Sequence, residues 1–173
     1  MVRGGEVVGE GFHGAFGGPH AEVEALRAAG EAARGAILVV TLEPCCHQGK
    51  TPPCTLAVMQ ASLAAVVVAS EDPDPRVRGR GTALLRRTGI DVRAGTCRAE
   101  AEALTAPYRK RTLAGQPWWI AKWAASADGR LAPPPGGGRW LTSEAARREA
   151  HRLRGRCDAV VVGIGTALAD DPT

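Results

Sequence analysis

The 173-residue sequence contains no apolar run near the roughly 18 residues that a membrane span requires. Its first residues, MVRGGEVVGE, lack the basic-then-apolar layout of a secretory signal. A cytoplasmic protein with no membrane partner is therefore expected. There is no long Lys/Arg block, and 22 basic against 18 acidic residues leave a formal charge of only +4, so charge lends no support to a nucleic-acid partner. Internal repeats are absent. An even number of cysteines is also lacking: there are five, and three fall within residues 42–54. In a reducing compartment, clustered thiols read as metal binding or catalysis before disulfides. What is present is a globular mixture, 45% hydrophobic and 23% charged, long enough for one domain plus part of another.

Hydrophobic patterning supplies the organisation. Residues 6–12 (EVVGEGF) fit a strand. A helix is expected from His20, with Val23, Leu26 and Ala29 or Gly30 on one face, and Gly35 stops it. The runs AILVVTL (36–42) and AAVVVAS (64–70) suit buried strands. TLAVMQASL and TALLRRT read as helices and GIDVRAG as a strand. A further helix over about 97–113 should break at Pro107. This alternation argues for an α/β layer fold with a largely parallel sheet. Beyond a boundary near 114–117, WWIAKW and CDAVVVGIGT read as strands, PPPGGG as a loop, and SEAARREAHRLRG as a helix capped by Ser143. The two expected domains are 1–114 and 115–173.

The chemistry concentrates in two motifs. His20-Ala21-Glu22 opens the first helix. Pro44-Cys45 follows a buried strand, and Cys54 opens the next helix. An HxE followed by a proline-preceded cysteine pair is the pattern of zinc-dependent base deaminases. His20, Cys45 and Cys54 would supply one imidazole and two thiolates, leaving a fourth position for water. Helix N-termini favour thiolate at their first turns. Glu22 is then the proton shuttle, taking a proton from the water and passing it to ring nitrogen and departing ammonia.

The ligating cysteines of that pattern are usually two residues apart, whereas eight separate Cys45 from Cys54. The resulting TLEPC-x-H-x-G-K-TPPC stretch resembles the bifunctional deaminase–reductases of riboflavin biosynthesis. GEGFH, GGPHAEVEAL, EDPDPRVRGRG, KWAASADGR, RWLTS and GTALADDP extend the resemblance along nearly the whole chain. It implies a three-layer cytidine-deaminase-like domain, a mixed sheet between helices, followed by the first part of a dihydrofolate-reductase-like α/β domain. It also implies Zn2+, NADPH, and deamination of a pyrimidine carrying a phosphorylated ribosylamine. The zinc ligands would be His20, Cys45 and Cys54, with Glu22 catalytic. Substrate contacts would come from His13, His47, Lys50, Asp72, Asp74 and Arg154, with Lys50 suited to a phosphate. NADPH contacts would come from Ala124, Trp140, Thr166 and Asp170. The family begins with a helix and a strand ending in NPxVG. This chain is expected to lack both, to stop early, and so to carry an inactive reductase part. It also has Ala127 where Leu is usual, Gly138 where a substrate-side Ser is usual, and Cys46 where Ser is common.

Plainer readings stand beside these. The cage could be a closed structural zinc site with Cys46 or His47 as fourth ligand. Asp72 and Asp74 precede prolines, and turn formation alone explains them. Cys97 and Cys157 read as buried thiols, Trp118, Trp119 and Trp123 as core, and the arginines of 147–156 as a solvated helix face. The rival functions are another base deaminase, acting on cytosine or tRNA adenosine, and a non-catalytic zinc-binding piece. A homo-oligomer is compatible with all of them.

Overall fold

The computed structural model describes residues 1–133, 136–138 and 140–170, without the side chain of Asp170. It divides into two units, Met1–Trp118 and Trp119–Thr173.

The first unit is built on a five-stranded mixed sheet. Its strands are β1 (Val2–Arg3), β2 (Glu6–Val7), β3 (Ile37–Leu42), β4 (Ala65–Ser70) and β5 (Asp91–Ala94), in the order β2-β1-β3-β4-β5. β3, β4 and β5 run parallel, with Ile37 opposite Ala65 and Ala65 opposite Asp91, and β1 joins antiparallel on the other side of β3. Parallel strands need helical crossovers, which here pack on the face carrying Leu38, Val66, Val68 and Val92; Ile37 and Val39 point the other way and are exposed, so β3, expected as a buried strand, is only half-covered. The crossovers are α1 (Ala21–Ala29, extended by a 3-10 turn over Gly30–Ala33), α2 (Cys54–Gln60) and α3 (Arg80–Arg87). Leu38, Val66, Val68 and Val92 of the sheet pack with Ala25, Ala29, Val58 and Leu85 of these helices in one core. α4 (Arg98–Leu104) packs on β4 with Ala101 buried outside that cluster, and α5 (Ala106–Ala114) follows. The expected break falls at Thr105, because Pro107 belongs to the first turn of the new helix, where its missing N–H costs nothing.

The strand expected at 6–12 stops at Val7, and α1 turns Glu22, Ala25 and Ala29 inward, with Leu26 packed at the edge of the core and Val23 half-buried. A methyl group at Gly9 would sit 2.6 Å from the carbonyl of Ala25, and one at Gly11 would sit 2.4 Å from that of Ala21. The chain after β2 thus runs along α1 backbone to backbone. That approach requires glycine on one side and alanine on the other.

The second unit contains α6 (Glu144–Arg154) and α7 (Ile164–Asp170), and no strand among its described residues. Ser143 caps α6 as expected, its hydroxyl oxygen accepting from the Ala146 N–H at 3.3 Å. The strands expected at WWIAKW and CDAVVVGIGT are not formed. A strand exists only through its ladder partners, and none pairs with these runs. Trp119 and Trp123 are exposed instead of forming core, as are Trp118 and the thiols of Cys97 and Cys157.

Candidate metal centre

The ends of three elements meet at one point. His20 is the N-cap of α1, Cys45 lies just past β3, and Cys54 is the first residue of α2. The His20 Nδ1 atom lies 3.6 Å from the Cys45 sulfur and 3.2 Å from the Cys54 sulfur. The site is closed locally by the Cys54 N–H, which donates to the Cys45 sulfur at 3.2 Å, and by the Thr55 N–H, which donates to the Cys45 carbonyl at 3.1 Å. The first turn of α2 thus presents its N–H groups to the neighbouring cysteine, as helix N-termini do for anions.

These donors fit zinc. Tetrahedral zinc with Zn–S of about 2.3 Å and Zn–N of about 2.0–2.1 Å sets its ligand atoms roughly 3.5–3.8 Å apart. All three ligand atoms lie within 4.8 Å of one another. Among the described residues no fourth His, Cys, Asp or Glu joins the group. Cys46 turns away, its thiol donating to the Arg76 carbonyl at 3.6 Å. Three protein donors with an open position is the arrangement of a catalytic zinc site.

Hydrogen bonds from Cys54 and the nearby His20 imidazole bring the Cys45 thiol down to about 5. The same contact with Cys45, together with burial, pushes the Cys54 thiol up. Glu22 is 8% exposed, and burial raises its carboxyl above the usual range. A buried carboxyl group two residues along the chain from the imidazole is suited to carrying a proton.

The remaining candidates are distributed unevenly. His13 stacks edge-on against His20, ring centroids 5.3 Å apart, and its Nδ1 contacts the Pro19 carbonyl at 3.0 Å. The Lys50 ammonium sits 4.0 Å over the exposed Phe16 ring, so it reaches across the glycine-rich loop ahead of α1. His47 is half-buried, with Nδ1 enclosed and without a hydrogen-bond partner among the described residues. Asp72 and Asp74 are engaged in their own loop. Asp72 Oδ1 accepts from the Asp74 N–H and the Tyr108 hydroxyl, both at 2.8 Å. The Arg76 guanidinium on Asp74 lowers its carboxyl to about 2. In the second unit Ala124 lies in an irregular stretch, Trp140 is exposed with the Arg147 guanidinium 4.7 Å over its ring, Arg154 ends α6, and Thr166 is on α7. The side chain of Asp170 lies outside the described residues.

Sequence reasoning missed Glu43. It is 3% exposed, and its carboxylate accepts from the N–H groups of Gly79 and Thr82 at 2.9 Å each and of Asp72 at 3.4 Å. An acid closing an apolar strand, directly before Pro44-Cys45, was the available signal.

Comparison with known proteins matches this geometry to a family. Residues 1–70 match the cytidine and deoxycytidylate deaminase zinc-binding region, and residues 117–173 match the RibD C-terminal domain. The riboflavin biosynthesis protein RibD of Escherichia coli is 49% identical over 99% of this chain and 47% of its own length. That of Aquifex aeolicus is 46% identical over 99% and 48%. A solved Acinetobacter baumannii RibD superposes with a TM-score of 0.87 at 46% identity, covering 99% of this chain and 48% of its own. A diaminohydroxyphosphoribosylaminopyrimidine deaminase/5-amino-6-(5-phosphoribosylamino)uracil reductase from Thermotoga maritima gives 0.87 at 39% identity, covering 99% and 49%. The chain spans about half the length of the relatives it matches, and in identity, fold and cysteine cage together it is similar to the RibD riboflavin biosynthesis proteins.

Proposed function

We propose that this chain carries out the hydrolytic deamination of a phosphoribosylaminopyrimidine, 2,5-diamino-6-(5-phosphoribosylamino)pyrimidin-4-one. The observation that carries this reading is the convergence of His20, Cys45 and Cys54 beside the buried Glu22. The net reaction replaces the ring amine by a carbonyl oxygen from water and releases ammonia. His20, Cys45 and Cys54 would hold a zinc ion, which when bound supplies a Lewis acid that brings a water's pKa to about 7. Glu22 holds the proton that the water gives up. It delivers that proton to the ring nitrogen beside the attacked carbon, then takes the second proton from the hydroxyl now on that carbon and gives it to the amine, which leaves as ammonia as the carbonyl forms. Burial of Glu22 keeps bulk water from competing for it. His13 and His47 flank the ring, and Lys50 takes the phosphate as a compact cation.

Residues 1–114 form the deaminase domain in this reading, and 115–173 the first part of a reductase domain. Arg154 there would meet substrate, and Ala124, Trp140, Thr166 and Asp170 would meet NADPH. The substrate is a small phosphorylated molecule, handled in the cytoplasm.

The test is Glu22→Gln. The variant should keep stoichiometric zinc and lose at least 100-fold in ammonia release from the pyrimidine, the low end of what a positioned acid–base group contributes. Unchanged turnover, or turnover of cytidine in place of the phosphorylated pyrimidine, would sink the proposal.

A further inference from the structure

We propose that Glu43 is a positioning residue for the metal cage, acting through the backbone that presents Cys45. The inference rests on the reading that His20, Cys45 and Cys54 hold zinc.

The Glu43 carboxylate spans the neck of a loop. Asp72, at the exit of β4, donates its N–H to one side of that neck, while Gly79 and Thr82, at the entry of α3, donate to the other. The loop thus closed lies against the cysteine segment at two points. A methyl group at Gly81 would sit 2.1 Å from the Pro44 carbonyl oxygen and 3.2 Å from Glu43 Oε1, so the α3 entry rests directly on the Pro44-Cys45 peptide and the Glu43 side chain. Farther along the loop, the Arg76 carbonyl accepts the Cys46 thiol. The residues immediately before and after Cys45 are therefore both held by segment 72–82, and Glu43 holds that segment shut.

Only a carboxylate suits the task. It offers acceptors alone, whereas an amide turns one of its two ends into a donor facing an N–H. Tyr108 of α5 adds an outer brace through Asp72 Oδ1, which frees neither the loop nor the cysteine segment from dependence on Glu43.

The test uses the full chain and Co2+ alone, whose visible absorption reports tetrahedral thiolate coordination. Glu43→Gln should bind Co2+ about 10–100-fold more weakly, the usual effect of removing support from a metal ligand. Its absorption bands should shift, its far-UV circular dichroism should not, and the amides of Asp72, Gly79 and Thr82 should exchange faster. Glu43→Asp keeps the charge but falls a methylene short, and should lie between the two. It provides the reading if Glu43→Gln does not fold. Affinity and bands equal to the parent's in the folded variants, despite faster exchange, would overturn the inference and leave the cage intact. A parent protein that gives no cobalt spectrum would overturn the cage itself, and the inference with it.

Discussion

The same four residues, Ala-Val-Val-Val, occur at 65–68 and at 159–162. In the first unit they open β4, the middle one of the three parallel strands, with Val66 and Val68 fully buried. In the second they form no strand, and Val161 is 77% exposed. Identical propensity gives opposite outcomes, so propensity is not the cause. Segment 65–68 has β3 and β5 as parallel partners and a helix against it; segment 159–162 pairs with no strand among the described residues. β preference is a preference for a pleated, half-covered environment, and it is expressed only where neighbours supply one.

This contrast can be broken in three ways. Chelation or Cys54→Ala should have the largest effect. Zinc at about 1,000 times its Kd adds roughly 4 kcal/mol to the state that binds it. Thermal melting should therefore fall steeply for the first unit, while proton resonances of the second stay put; equal effects on both would contradict the division. Next, Leu38→Ala should cost about 2–5 kcal/mol in urea unfolding, the range for a fully buried leucine, whereas Val161→Ala should stay within about 0.5 kcal/mol. Amide exchange sharpens the same point, with Val66–Val68 protected and 160–162 open. A protected second segment would show that it has found partners.

The smallest effect concerns Asp74. Its carboxyl lies at about 2, below the ordinary 3.8, because Arg76 pairs with it. A depressed carboxyl contributes stability that is whole above 3.8 and disappears as pH falls through 2. Asp74→Asn should remove that acid-side step and lower the urea midpoint slightly at neutral pH, with variant and parent converging as pH falls through 2.

Legibility followed the same division. β3 and β4 were readable as uninterrupted apolar runs, and the α6 cap as a serine ahead of a charged helix, because each is a local pattern. The convergence of His20, Cys45 and Cys54 was readable because liganding chemistry leaves few residue types to choose from. The inward face of α1 was not: it depends on Gly9 and Gly11 approaching from a different segment. Glu43 was hidden because its partners are three backbone N–H groups, which carry no side-chain identity to notice. Cys97 was misread because burial of a small thiol depends on what packs over it, and nothing in its own neighbourhood encodes that.

The backbone contact between the Gly9–Gly11 stretch and α1 has a consequence for how a site of this kind can diversify. A helix clamped this tightly has no sideways play, so the spacing of imidazole and carboxylate on its first turn is inherited from main-chain packing. Residues at the rim, such as Phe16, Gln48 and Lys50, are free of that constraint. New ligands could be admitted by altering the rim while the His20–Glu22 pair keeps its spacing, so what enters the site and how the site is built can drift on separate clocks.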